Sequence, residues 1–124
     1  MPTDKLTRRV LVADDNVDSA ETLSLILQLE HHQVEVAHDG VEAIEISGRF
    51  QPDVILLDLG MPKIDGLEAC RRIRAESWGK NAVIIALTGW GAQADRDRTK
   101  QAGFTAHLVK PVDPDALFNL ISAL

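Results

Sequence analysis

Apolar residues along this chain alternate between short, nearly continuous runs and longer stretches with helical spacing. Three runs, at residues 10–13, 54–57 and 82–87, are almost wholly apolar, which is typical of strands covered on both faces. The segment Val34-Glu35-Val36 alternates like a strand nearer the edge of a sheet, and a short last strand is predicted at about residues 106–109. The pattern therefore predicts five strands.

Amphipathic stretches separate these strands. In the first of them, Leu23 and Leu27 recur at the spacing of one helix face. Gly103 is a typical helix end, and Asp113 followed by Pro114 is a typical cap and first turn. The five predicted helices cover residues 19–30, 41–47, 67–75, 93–102 and 113–124. Strands joined by helical crossovers pair in parallel and carry helices on both faces, so the predicted class is α/β, a doubly wound three-layer sandwich.

Polar side chains stand at the point where four of the predicted strands end. Asp14 and Asp15 follow the first strand, Asp58 the third, Thr88 the fourth and Lys110 the fifth. Open α/β sheets bind their ligands at the carboxyl ends of their strands. The flavodoxin-like strand order 2-1-3-4-5 brings these five groups together, and we predict a five-stranded parallel sheet of that order for this reason.

The predicted cluster has the chemistry of a metal-assisted phosphoryl site. Three carboxylates in one pocket repel one another unless a cation lies among them, and an all-oxygen set suits Mg²⁺, with Mn²⁺ as a possible substitute. The ammonium of Lys110 and the hydroxyl of Thr88 are donors for the oxygens of a phosphoryl group. Because a carboxylate can attack phosphorus and form an acyl phosphate, Asp58 is the candidate nucleophile.

Composition narrows the possible partners. The chain has 124 residues, the length of one domain, and its 13 basic and 19 acidic residues give a net charge of −6. This charge opposes direct binding to nucleic acids and anionic membranes. The single cysteine, Cys70, falls in a predicted helix, where packing is the favoured interpretation. With a polar amino terminus and no apolar run of about 18 residues, a cytoplasmic protein is expected.

Four stretches, taken together and in this order, resemble the receiver domain of bacterial two-component response regulators. The resemblance covers about residues 9–124, with residues 1–7 expected to form a loose tail of a single domain spanning 1–124. The stretches are Leu11-Val12-Ala13-Asp14-Asp15-Asn16, Pro52-Asp53-Val54-Ile55-Leu56-Leu57-Asp58-Leu59-Gly60-Met61-Pro62, Leu87-Thr88-Gly89 and Leu108-Val109-Lys110-Pro111.

The resemblance implies a role for each residue of the cluster. Asp58 would accept a phosphoryl group from phosphohistidine, on a sensor histidine kinase or a histidine phosphotransfer protein. Asp15, Asp58 and the backbone carbonyl of Gly60 would bind Mg²⁺ directly, and Asp14 would act through a bound water. Thr88 would donate a hydrogen bond to one phosphoryl oxygen and Lys110 would pair with another.

The same resemblance draws attention to three further positions. The peptide between Lys110 and Pro111 is expected to be cis. Receivers commonly carry Phe or Tyr where this chain has His107, so the switch would use an imidazole, and a static half-buried histidine is the alternative. Trp90, two residues after Thr88, is predicted to influence autodephosphorylation.

The output of such a receiver is not specified by the sequence. No output segment follows the fifth predicted helix, so the signal would leave through contacts with an unknown downstream protein. Two arrangements agree with the sequence: a stand-alone relay protein, or a receiver cut from a hybrid sensor kinase. The protein would be a phosphoacceptor that assists its own phosphotransfer, and not a turnover enzyme.

Two other classes of protein share parts of this pattern. A Mg²⁺-dependent phosphohydrolase would need a second acid two residues after the nucleophile, where this chain has Gly60. A flavin or nucleotide binder would need a glycine-rich loop after the first strand, where Asp14 and Asp15 would repel a phosphate.

Overall fold

The computed structural model describes residues 7–89 and 93–123 and contains one five-stranded sheet. All strand pairs are parallel, and the order β2-β1-β3-β4-β5 confirms the predicted topology. The alternating segment 34–36 lies in the edge strand β2, as its pattern indicated. The strands are β1 (Arg9–Ala13), β2 (Gln33–Ala37), β3 (Val54–Asp58), β4 (Val83–Thr88) and β5 (Ala106–Val109).

Within the described residues, five α-helices connect or follow the strands, and each boundary lies within a few residues of its prediction. Polar side chains cap four of the helix starts by accepting backbone N–H groups that have no partner within the helix. The capping residues are Asn16, Asp39, Asp65 and Asp113. The helices are α1 (Val17–Leu29), α2 (Gly40–Phe50), α3 (Gly66–Ala75), α4 (Gln93–Ala102) and α5 (Pro114–Ser122). A 3₁₀ helix at Ser77–Gly79, which was not predicted, follows α3.

The sheet separates two apolar cores, which completes the predicted three-layer sandwich. Alternate residues of a strand point to opposite faces, so Leu11 packs in one core and Val10 in the other. The core on the Leu11 side includes residues of α2, α3 and α4, and the core on the Val10 side includes residues of α1 and α5. Cys70 is fully buried in the first core, as its packing interpretation predicted.

The strand register decides which loops meet. Ala13 pairs with both Ala37 and Leu57, so the first strand ends beside the second and the third. The connections that follow β1 and β3 lead to helices on opposite faces of the sheet, α1 and α3, and the polar cluster lies in the crevice between them. None of the described helices has the length and apolar character needed to cross a membrane.

Candidate functional site

Three carboxylates meet at the ends of the two central strands. Asp14 and Asp15 follow β1, and Asp58 is the last residue of β3. One carboxylate oxygen from each residue lies within 4.8 Å of the other two. Asp14 is buried, Asp58 is partly buried and Asp15 is exposed, so the cluster opens to solvent on one side. The structure therefore brings together the three acids that the sequence placed at strand ends.

The ammonium of Lys110 lies among these acids. Its Nζ atom is 2.9 Å from Oδ2 of Asp14 and 3.0 Å from Oδ2 of Asp58. The backbone N–H of Lys110 donates to the carbonyl of Thr88 at 2.7 Å, which holds the lysine against the end of β4. The Lys110–Pro111 peptide is cis, as the resemblance implied.

Asp14 occupies a buried position that is energetically unfavourable for a charged carboxylate. Its side chain is fully buried, and Oδ1 accepts the backbone N–H of Asn16 at 3.0 Å. Oδ2 has no aligned hydrogen bond, although the ammonium of Lys110 is in ion-pair contact with it. Burial raises the pKa of Asp14 above its usual value, and Lys110 and the N–H of Asn16 offset only part of this effect.

Asp58 has the opposite electrostatic balance. Burial alone would raise its pKa, but the N–H of Gly60, 3.1 Å from Oδ1, and the ammonium of Lys110 outweigh burial and lower it. Burial likewise works against the charge of Lys110, yet the carboxylates of Asp14 and Asp58 raise the pKa of the ammonium overall. The nucleophile candidate is thus ionised and stays partly accessible, with 14% of its side chain exposed.

The donor set fits a divalent cation. Three carboxylates lie within 4.8 Å of one another, and the one positive charge of Lys110, which contacts Asp14 and Asp58, cannot neutralise all three. Carboxylate oxygens in an open arrangement suit Mg²⁺, which keeps several waters and uses few protein ligands. Asp14, Asp15 and Asp58 are the residues that would hold it.

The loop after Asp58 is fixed by close backbone packing. A Cβ atom on Gly66 would lie 2.4 Å from the carbonyl oxygen of Asp58, so only glycine fits there. The same loop is attached to the β2–α2 turn, because Lys63 forms an ion pair with Asp39 at 3.3 Å and the N–H of Gly40 donates to Pro62. These contacts hold the backbone around the candidate nucleophile.

The two predicted switch residues lie on neighbouring strands. Thr88 ends β4 and is buried, and His107 lies half-buried in the edge strand β5. The N–H of Gly60 donates to Oδ1 of Asp58, and the role of the Gly60 carbonyl as a metal ligand stays a prediction. Trp90 lies outside the described residues, so its predicted effect on dephosphorylation stays a prediction.

The sequence did not reveal two residues whose side chains join separate elements of the fold. Arg74 donates to the carbonyls of Gly79, Ala82 and Gly103 and to the hydroxyl of Thr105. Thr99, a buried residue of α4, contacts the ring of His107. Thr99 lies three residues before Ala102 on a mostly polar helix, and this spacing was the available sign that it faces inward.

Comparison with known proteins agrees with this geometry. The family model of the response regulator receiver domain matches residues 10–122. Similar curated proteins include response regulator MprA of Mycobacterium ulcerans (strain Agy99), which is 39% identical over 116 residues covering 94% of this chain and 49% of that protein. MprA of Mycobacterium tuberculosis (strain CDC 1551 / Oshkosh) is 37% identical, with coverage of 94% and 50%. The chain spans about half the length of these curated relatives.

Solved structures share the fold. The receiver domain of sensor histidine kinase PA1611 from Pseudomonas aeruginosa PAO1, with a magnesium ion coordinated in its active site cleft, is 31% identical with a TM-score of 0.87, covering 95% of this chain and 97% of that chain. The receiver domain of Saccharomyces cerevisiae Ssk1, crystallised with the histidine phosphotransfer protein Ypd1, is 27% identical with a TM-score of 0.89, covering 97% and 90%. With nearly all of its folded length matched by the family model, this chain belongs to the response regulator receiver domain family.

Proposed function

We propose that this domain accepts a phosphoryl group from a phosphohistidine onto Asp58 and passes the signal on through altered protein contacts. The observation that carries this proposal is the placement of the Lys110 ammonium between Asp14 and Asp58, 2.9 Å and 3.0 Å from their carboxylates. Phosphoryl transfer depends mainly on positioning and charge neutralisation, and this arrangement supplies both around an accessible carboxylate.

Each residue of the site has a separate task in this proposal. Asp58 attacks phosphorus through a carboxylate oxygen, and the N–P bond of the phosphohistidine breaks with imidazole as the leaving group, while the Gly60 N–H holds Oδ1. Lys110 exchanges its carboxylate contact for a phosphoryl oxygen, and Thr88 donates its hydroxyl to another. A Mg²⁺ ion held by Asp14, Asp15 and Asp58, with the Gly60 carbonyl as a further proposed ligand, would neutralise phosphoryl charge.

The switch would begin at Thr88. When its hydroxyl moves towards a phosphoryl group on Asp58, the packing behind it changes, and His107 on the neighbouring strand can respond. Such a conformational equilibrium needs a difference of only a few kcal/mol between its states.

The proposed phosphoryl donors are a sensor histidine kinase or a histidine phosphotransfer protein. The Ssk1 receiver, which shares this fold, was crystallised with such a phosphotransfer protein. The domain itself would be a phosphoacceptor and not a turnover enzyme, because Gly60 stands where a phosphohydrolase would need an acid. A single cysteine, fully buried, is compatible with a cytoplasmic location.

Incubation with acetyl phosphate and Mg²⁺, followed by intact mass measurement, tests this proposal. We expect one added phosphoryl group in the wild type, none in Asp58→Asn, and none in EDTA. Asp53→Asn is the matched control, because Asp53 is an exposed acid that precedes β3 at the opposite end of the strand. An adduct that persists in Asp58→Asn, or steady turnover of small phosphate esters, would contradict the assignment.

A further inference from the structure

Helix α4 is joined to the edge strand β5 by a buried polar contact. The hydroxyl of Thr99 is within hydrogen-bond distance of Nε2 of His107. Thr99 has no exposed surface. Because a buried hydroxyl is costly without a partner, this contact helps to determine where α4 lies against the sheet.

The imidazole of His107 lies on the same face of the sheet as Thr88. His107 is in register with Ala86, and Thr88 follows Ala86 by two residues on the same strand. Residues two apart on a strand point to one face, and registered neighbours in a parallel pair share that face. Thr88 and His107 are therefore both neighbours of the small side chain of Ala86 on this face, so a movement of Thr88 opens space towards His107.

A cleft borders Thr99. It separates α4 from the loop that follows Asp58 and has a volume of about 200 Å³. Protein interiors are normally close-packed, so a gap of this size allows α4 to move without compressing its neighbours. The cleft is lined by Leu59, Gly60, Asp65, Leu67, Arg98 and Thr99.

We propose that Thr99 is a positioning residue of the phosphorylation switch, an inference that rests on the proposed function. Its hydroxyl holds the His107 imidazole against α4 while Asp58 is unphosphorylated. When Thr88 moves to a phosphoryl group on Asp58, the imidazole enters the space that opens beside Ala86 and its bond to Thr99 breaks. Helix α4, no longer held by this bond, is then free to move into the cleft.

This proposal predicts the direction in which substitutions act. A hydrogen bond present in only one of two states opposes the other state, so removing it favours the phosphorylated arrangement. Thr99→Val keeps the shape of the side chain but lacks the hydroxyl. We expect it to bind fluoroberyllate with Mg²⁺, a mimic of the acyl phosphate, about two- to tenfold more tightly than the wild type. Thr99→Ser keeps the hydroxyl and should match the wild type.

A double-mutant cycle separates this role from a general effect on packing. His107→Phe removes the same bond from the other side, so adding Thr99→Val to it should give no further gain in affinity. A wild-type affinity in Thr99→Val, or equal gains from Thr99→Val with and without His107, would overturn the proposal.

The wild type provides a test that does not depend on the folding of any Thr99 variant. The ¹⁵N resonance of His107 Nε2, assigned by its loss in His107→Phe, should move when fluoroberyllate and Mg²⁺ bind, because its partner changes. An unchanged resonance in the bound protein would also overturn the role of Thr99. Failure of the wild type to bind fluoroberyllate would instead reject the proposed function.

Discussion

Lys110 Nζ lies 3.0 Å from Oδ2 of Asp58, although the two residues are 52 positions apart in the chain. The contact exists because β3 and β5 flank β4 and end at the same edge of the sheet. It places a positive charge at the carboxylate proposed to receive the phosphoryl group, and the consequences of this placement can be measured.

Replacement of Lys110 by methionine should lower stability without metal and strengthen the response to Mg²⁺. The variant leaves Asp14 buried without its counter-charge, at a cost of about 1–2 kcal/mol, which allows for the partial exposure of Lys110. It also removes one positive charge that would repel the metal, so Mg²⁺ should stabilise the variant more than the wild type. Urea unfolding in EDTA and in Mg²⁺ gives both quantities, with the exposed Lys80→Met as the control.

Asparagine at position 14 should stabilise the metal-free protein. Burial raises the pKa of Asp14, so its charged form at neutral pH opposes folding, whereas asparagine has the same shape and no charge. We expect a gain of about 1 kcal/mol in EDTA and a reduced thermal shift on adding Mg²⁺. A variant that is less stable in EDTA and keeps the full Mg²⁺ shift would show that this acid is neither strained nor part of the metal site.

Alanine at Gly66 should destabilise the protein and displace the candidate nucleophile. The added methyl group would lie 2.4 Å from the carbonyl oxygen of Asp58 and 2.8 Å from Cα of Leu59, both of which are backbone atoms with little freedom. The expected loss is about 1–3 kcal/mol, with weaker fluoroberyllate binding. Gly89→Ala is the matched control, since no described atom lies within 4 Å of its added Cβ, and it should change stability by less than about 0.5 kcal/mol.

Lysine at position 74 should weaken the packing of the loop before β5. The Arg74 guanidinium donates to the carbonyls of Gly79, Ala82 and Gly103 at 3.0, 2.6 and 2.9 Å, and one ammonium cannot reach all three. We expect a loss of about 2–3 kcal/mol in the free energy of unfolding. In contrast, Arg71→Lys alters a side chain that is 53% exposed and should be nearly neutral; equal losses in both variants would refute the structural role of Arg74.

The buried thiol of Cys70 should be unreactive in the native protein. Burial raises the pKa of this thiol to about 11, so at pH 8 the reactive thiolate is scarce and shielded. Ellman's reagent should label one thiol per chain rapidly in guanidinium and at least about a hundredfold more slowly in the native state. Fast native labelling at pH 8 would contradict the burial of this thiol.

The same thiol makes stability depend on pH. The thiol of the unfolded chain loses its proton at a lower pH than the buried thiol does. The free energy of unfolding should therefore fall as pH rises from the ordinary cysteine pKa towards about 11.

The sequence by itself determined the architecture and most of the candidate site. Apolar periodicity is a local property, so it located five strands and five α-helices, and the acids at the ends of β1 and β3 pointed to a shared crevice. One helix end was less accessible: α2 was predicted to end at residue 47 but continues to Phe50, because Gln51 takes the left-handed conformation in which a glycine would have marked the end.

Only the tertiary structure decided the hydrogen-bond partners of each side chain and the energetic cost of burying it. Nothing near Asp14 in the chain indicates that its Oδ2 lacks a hydrogen bond, because that depends on how Lys110 approaches across the sheet. The contact of Thr99 with His107 likewise joins a helix and a strand through packing. Periodicity assigns a residue to a face, whereas its hydrogen bonds and its pKa depend on distances between elements, which packing alone sets.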